Sequence, residues 1–312
     1  MNNQSWTLYW QADHPGSCIA SSHPEDAAAI ETIWRELARG LNSDSGASVR
    51  LLDLATGNGA VPRVLLQENP ALQITAVDIS DIDPLEHLSE PGPLKAVDFL
   101  PAVDITALPF EAAQFEVVTS QFGIEYAPLE GVVREVSRVI KPGGSLVFLM
   151  HHAGSDVVQP AAAKLEEISL LLGRNGVLHA LDAFVHAGLP PAQLEQAGQR
   201  HIRGAGPRTQ ALSGQIFAGI NRVIELFPRQ PADARELVLA MTARLRAEQS
   251  RLQQMQQAAL TREQVRAFGE ALVQQGSSTP GIEELAIRPE ERAAAIVGWQ
   301  VTARKGDSAE GL

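Results

Sequence analysis

An α/β fold is what this sequence predicts: a mostly parallel sheet covered by helices on both faces and interrupted by a long helical block. Three observations carry that expectation. Short apolar runs of strand length alternate with segments of helical periodicity from Arg50 to Met150, the pattern of βαβ units. Those runs are rich in Val, Leu and Ile, as strands buried on both faces must be. From Ser155 to about Gln275 the strand signal disappears, and it returns only at Ala295–Ala303.

Each element has a local reason. Ser22 is a good N-cap and Glu25 its capping-box partner, with Ile30, Ile33, Trp34, Leu37 and Leu41 following at helical spacing and Gly40 near the stop. After the polar loop NSDSGAS, VRLLDLA reads as a strand, AVPRVLLQEN as a helix closed by Pro70, and LQITAVD as the next strand. A Pro-rich stretch leads to a short strand around Val97–Val103; Phe115–Ser120 is another strand and Leu129–Val139 a helix. The turn Lys-Pro-Gly-Gly then opens a strand over Ser145–Met150. In the helical block, Val158, Ala161, Leu165, Ile168 and Leu172 share one face, as do Leu212, Ile216, Ile220, Val223 and Phe227. Thr261-Arg-Glu-Gln264 is a capping box for the last helix, and Gly276 is its stop. The expected organisation is a core over 1–154 and 277–304, a helical insertion over 155–276 that shapes the substrate site, and a flexible tail over 305–312.

Composition removes several function classes. The single cysteine, Cys18, cannot form an intrachain disulfide, and no Cys/His spacing reads as a metal site. The first residues show no basic region followed by an apolar run, and no apolar stretch reaches the roughly 20 residues of a membrane span, so a cytoplasmic protein is expected. A formal net charge of −12 repels a phosphate backbone, which argues against a nucleic-acid partner. The charge is uneven: eleven arginines stand against five acids between Arg200 and Arg266. Arginines on amphipathic helices form a solvated face as a rule, although their forks also suit an anionic group.

The strongest chemical signal is Asp53-Leu-Ala-Thr-Gly57-Asn58-Gly59, set between a strand and a helix. Glycines there let the backbone turn tightly and approach a ligand, and the helix N-terminus offers unpaired N–H groups. A dinucleotide fingerprint requires a third small residue where Pro62 stands, which excludes an NAD-dependent oxidoreductase. About 20 residues on, Asp78 ends a strand, where a carboxylate can accept hydrogen bonds from ribose hydroxyls. VDITALPF, FEVVTSQFGIEYA and REVSRVIKPGGSLVFLMHH follow in order.

These five segments, spanning Val49 to about His152, resemble the class I S-adenosylmethionine-dependent methyltransferases, most closely the small-molecule group that includes the quinone-biosynthesis C-methyltransferases. Ala55 replaces the first glycine of the usual turn. The resemblance implies a Rossmann-like sheet and S-adenosylmethionine as cofactor. It implies that Asp53, Ala55, Gly57, Asn58 and Gly59 surround the methionine and ribose portion, Asp78 and Ile79 the ribose, Asp104 and Ile105 the adenine, and Ser120 and Gln121 the sulfonium end. Trp6, Tyr9, Trp10, Phe122, Glu125 and Tyr126 are candidates to line the substrate. His151 and His152, at a strand exit, are candidate bases, because neutral imidazole accepts a proton near neutral pH. The (D/N)PP(Y/F) signature of amino-methylating DNA enzymes is missing; TSQFG stands in its place. The expected function is methyl transfer to a small molecule. Its alternatives are a non-catalytic cofactor-binding protein of the same fold, or an RNA or protein methyltransferase docking through the arginine-rich helices.

Overall fold

The computed structural model describes residues 3–11, 24–41, 48–204, 212–287 and 294–307. The expected N-cap Ser22 and the last five residues of the tail lie outside them. By internal contacts the chain forms two compact units, one of residues 1–159 and 254–312 and the other of residues 160–253.

The first unit is built on a seven-stranded sheet. Its strands are β1 (Arg50–Leu54), β2 (Gln73–Val77), β3 (Asp98–Leu100), β4 (Phe115–Gln121), β5 (Ile140–Met150), β6 (Gly281–Ile287) and β7 (Ala295–Arg304), in the order β3-β2-β1-β4-β5-β7-β6. β1 pairs in parallel with β2 and β4, β2 with β3, and β4 with β5, while β7 runs antiparallel to both β5 and β6. Chain order reverses between β1 and β4. That is the switch point at which open α/β sheets bind ligands, beyond the carboxyl ends of the strands.

The helices of this unit that precede β5 are α1 (Asn3–Trp10), α2 (Pro24–Gly40), α3 (Ala60–Glu68), the single turn α4 (Pro84–His87) and α5 (Leu129–Val139). Strand side chains alternate between two cores. Leu51, Val117, Val147 and Leu149 pack with Ile30, Trp34 and Ala38 of α2 and Val61, Val64 and Leu65 of α3. Leu52, Leu54, Val118, Leu146, Phe148 and Met150 pack on the opposite face with Val132, Val136 and Val139 of α5. Each such fully buried side chain contributes about 1.5–3 kcal/mol, so reversing this alternation would disrupt both cores.

The second unit holds α6 (Ala161–Leu172), α7 (Val177–Ala187), α8 (Pro191–Gly204), α9 (Ser213–Leu226) and most of α10 (Pro231–Ala258). A buried carboxylate organises it. Glu167 accepts hydrogen bonds from the Leu212 and Ser213 N–H groups and from the Ser213 hydroxyl at 2.7 Å, and so caps α9; the hydroxyl also meets His201 at 2.9 Å. The stretch Ala161–Ala187 is long and apolar enough by composition to cross a membrane, which corrects the expectation that no stretch reaches that length. It folds as two helices of 12 and 11 residues, broken between Gly173 and Gly176.

Other boundaries also differ from expectation. α11 (Arg262–Gln274), which periodicity groups with the helical block, belongs to the sheet unit: its Val265, Phe268 and Leu272 join the core under α5. Its predicted capping box at Thr261 and Gln264 is present, and Gly276 follows it with φ +82°. β6 has no counterpart in the sequence reading, because this edge strand leaves most of its residues open to solvent. Lys305, assigned to the tail, is paired: its N–H donates to the Gly144 carbonyl at 2.8 Å, and its own carbonyl accepts from Gly143.

Candidate functional site

The turn after β1 takes a backbone shape that explains its composition. Ala55, Gly57 and Gly59 all have positive φ, at 54°, 53° and 77°. Two of the three are glycines, which adopt this region without strain, while the alanine does so at a cost of about 1–2 kcal/mol. Phe122, just past β4, shares the same left-handed geometry at φ 54°. Strain of this kind persists where the surroundings over-determine it, and both residues line one cavity.

That cavity has a volume of about 330 Å³, within the roughly 300–1,000 Å³ of small-molecule sites. Ala55 comes to it from the end of β1, Asp78, Ile79 and Ser80 from the end of β2, and Phe122, Gly123 and Tyr126 from the exit of β4. Asp104 and Ile105 arrive on the loop after β3. Hydrogen bonds between the two loops bring these residues together: Val103 N–H donates to the Asp78 carbonyl at 2.9 Å and Ala102 N–H to the Ser80 carbonyl. Farther along, Glu135 of α5 accepts from Leu108 N–H at 2.8 Å and pairs with Arg138, whose guanidinium also reaches the Leu108 and Phe110 carbonyls. The Arg138 bond holds the Glu135 carboxyl below its ordinary pKa.

Asp78 is the hinge of the site. Its Oδ2 accepts from Gly57 N–H at 2.9 Å and its Oδ1 from Ser80 N–H at 2.8 Å, so one carboxylate holds the glycine turn against the β2 exit. Each oxygen keeps further acceptor capacity. Burial pushes its pKa up, against those same hydrogen bonds. Asp53 lies deeper, accepting from the Thr119 hydroxyl at 2.8 Å, and burial raises its pKa to about 7. With Gln121, Thr56 and Val61 it lines a second, smaller pocket.

Helix α1 covers this region. Trp6, Tyr9 and Trp10 contact one another, and Trp6 meets the Tyr126 ring edge-on at 5.2 Å. Trp6 and Trp10 line both cavities. The Trp10 indole lies directly on the glycine turn, where a Cβ on Gly57 would stand 2.4 Å from it. Ser5 accepts from Gln254 and Thr7 accepts from Asp81 N–H, anchoring the helix.

Several sequence candidates have other places. Gly59 is the N-cap of α3, packed under Leu94 and Phe99, and Asn58 beside it is buried. Ser120 donates to the Leu54 carbonyl, and Gln121 accepts from the Trp34 indole N–H at 2.6 Å, a partner on α2 that nothing in the motif announces. Tyr9 and Glu125 line neither cavity. His151 is fully buried behind Phe122 and Tyr126; its Nδ1 lies 2.6 Å from Glu125, whose Oε1 also accepts the His151 backbone N–H. His152 tilts against Trp299 with Nε2 3.7 Å from Glu284. Neither histidine borders the two cavities. Asn3, Ser80, Gly123, Ala127 and Pro128 do line the main one and were not anticipated.

Strand order, switch-point cavity and glycine turn are those of an open α/β ligand-binding core. Comparison with known proteins finds likeness to methyltransferases over part of the chain. Residues 52–148 match the family model described as a methyltransferase domain. The chain is 36% identical over 119 residues to a demethylmenaquinone methyltransferase of Thermus thermophilus, covering 37% of this chain and 53% of that protein. It is 35% identical over 125 residues to the demethylmenaquinone methyltransferase of Thermotoga maritima, covering 38% and 51%. The chain thus spans about half the length of the curated relatives it matches. A solved structure of geranyl diphosphate C-methyltransferase from Streptomyces coelicolor aligns at 17% identity and a TM-score of 0.35, over 47% of this chain and 64% of that one. S-adenosylmethionine is the cofactor of this class of domain.

Proposed function

We propose that this chain binds S-adenosylmethionine across the ends of β1, β2 and β4 and transfers its methyl group to a small-molecule acceptor by in-line displacement. The observation that carries the reading is the convergence of Ala55, Asp78, Ile79, Asp104, Ile105 and Phe122, from four separate segments, around one cavity. The matched segment contains them all. The residues fit the cofactor: carboxylates for hydroxyl and amino groups stand beside apolar side chains for a flat ring.

When bound, the cofactor supplies a methyl group on a sulfonium, which is already a good leaving group. The chain's part is then to orient and to exclude water. Asp78 has acceptor capacity for the ribose hydroxyls, while Asp104 and Ile105 offer a polar edge and an apolar face to the adenine. Trp6, Phe122, Tyr126 and Pro128 form the wall against which an apolar acceptor lies. Holding donor and acceptor in line is worth roughly 7–11 kcal/mol in well-oriented cases. Buried behind that wall, His151 supports Phe122 and Tyr126 and contributes no base at the cavity surface.

The relatives' names make reduced quinone-type aromatics the first acceptors to try. The experiment is incubation with the donor and such acceptors, followed by mass spectrometry. Acceptor-dependent formation of S-adenosylhomocysteine with a product heavier by one methylene supports the reading. Donor binding with no transfer to any acceptor tried, or to a cell extract, favours the non-catalytic alternative.

A further inference from the structure

We infer that the indole of Trp10 is a plug: it occupies the approach to the glycine turn that a bound donor needs, and the donor binds as the indole withdraws. The inference rests on the cofactor reading above and adds to it a contact within the chain that competes with the ligand.

The glycine turn is closed in this structure. Gly57 is buried, and among the described residues Gly57, Asn58 and Gly59 line neither cavity. The cover over Gly57 is Trp10, three of whose indole carbons would lie within 2.6 Å of a Cβ built there. The space that a glycine leaves for a ligand is thus filled by a ring of the same chain. Trp6 and Trp10 of α1 line both cavities, so their indoles stand between the larger, of about 330 Å³, and the smaller, of about 40 Å³. The two differ in chemistry. Asp78, Asp104 and Ile105 in the larger suit a sugar and a flat base. The smaller lies at the start of α3: Ala60 and Val61 line it, and Gly59 gives that helix no side-chain cap. Backbone N–H groups at an uncapped helix start suit an anionic group, here the carboxylate at the donor's amino-acid end. A ligand with a nucleoside at one end and an amino acid at the other needs both cavities, and the Trp10 ring lies across its path.

The plug can be displaced because α1 depends on its contacts. Its eight residues are fewer than the roughly 12–15 that an isolated helix needs in water. Its place is set by packing, with Trp6 edge-on to Tyr126, and by hydrogen bonds of 3.2 Å from Gln254 to Ser5 and from Asp81 N–H to Thr7. When binding requires a minor state, apparent affinity falls by the fraction of molecules in that state. Removing the indole while keeping the helix therefore tightens binding. A lid that closes over its ligand behaves in the opposite way, since its loss weakens binding.

The test uses the whole chain and S-adenosylhomocysteine. Calorimetry should show Trp10→Ala binding about tenfold more tightly than the unaltered chain, the gain expected if about a tenth of the molecules have the turn open. A second measurement needs no variant, and decides the matter if Trp10→Ala does not fold. Of the four tryptophans, Trp34 and Trp299 are 1% exposed, so acrylamide quenching reports on Trp6 and Trp10. Saturating S-adenosylhomocysteine should raise that quenching, because the indole moves out to solvent. Equal or weaker binding by Trp10→Ala, or quenching that stays unchanged or falls on binding, overturns the inference and leaves the cofactor reading intact. Binding by Trp10→Ala alone supports both. Failure of both chains to bind overturns the cofactor reading, and this inference with it.

Discussion

The methyl group of Ala55 occupies the space that any side chain on Gly123 would need: a Cβ built on Gly123 would stand 2.4 Å from the Ala55 Cβ. The turn after β1 and the exit of β4 are therefore fitted to each other at the mouth of the cavity, and the alanine that departs from the usual glycine is tolerated because a glycine faces it.

This pairing predicts a coupled effect on stability. Gly123→Ala should destabilise by about 1–3 kcal/mol, the usual cost of overpacking. Ala55→Gly should be close to neutral alone, since relief of the left-handed strain offsets the added freedom of the unfolded chain. Combined, the second change should recover part of the loss from the first, with an interaction energy of about 0.5–3 kcal/mol. Denaturant titrations of the four proteins measure it; simple additivity would mean the loops move apart freely.

Asp78→Ala should lower S-adenosylhomocysteine affinity by roughly 10- to 150-fold, the equivalent of about 1.5–3 kcal/mol for hydrogen bonds to a charged group. The structure adds a consequence that the strand-end position alone did not suggest. The substitution frees the Gly57 and Ser80 N–H groups, so hydrogen exchange at both amides should quicken even without ligand. Unchanged affinity by calorimetry would reduce Asp78 to a support for the turn.

Asp53 sets a pH dependence of folding. Its ordinary pKa of 3.8 is raised to about 7 in the folded chain, chiefly by burial. Protonation is thus favoured more by the folded state, and the contribution is fully present below about pH 4 and lost as pH rises through about 7. Its size is on the order of a few kcal/mol. Urea titrations at the two ends of that window should show a smaller fall in stability for Asp53→Asn than for the unaltered chain; equal falls would mean the carboxyl titrates normally.

In the helical unit, Glu167→Ala should cost about 1–3 kcal/mol by leaving the start of α9 uncapped. Every residue assigned here to the cofactor lies in the other unit. Affinity for S-adenosylhomocysteine in this variant should consequently stay within a few-fold of the original. Loss of cofactor binding in a folded Glu167→Ala variant would defeat this expectation.

The parts of the fold legible in the sequence were those set by local chemistry. Short apolar runs gave away β1, β2 and β4, the capping box at Thr261 gave away α11, and the glycine spacing with Asp78 gave away the turn. What stayed hidden depends on partners far along the chain. Gln121 is held by Trp34, and Ser120 by the Leu54 carbonyl. His151 read as a candidate base and Glu125 as a candidate to line the substrate, both at strand exits, and they proved to be each other's buried partners. β6 escaped because Glu283 and Glu284 interrupt its apolar residues and most of the strand is exposed. α11 has the same amphipathic period as the helices of the second unit, and only its packing under α5 assigns it to the sheet.

The most direct test of the central claim is calorimetric titration of the chain with S-adenosylhomocysteine beside NAD and NADP. A switch-point cavity with Asp78 at its edge and Pro62 in place of the third glycine should bind S-adenosylhomocysteine and neither dinucleotide, and saturating S-adenosylhomocysteine should raise the melting temperature by mass action. Binding of NAD or NADP with none of S-adenosylhomocysteine would contradict the account.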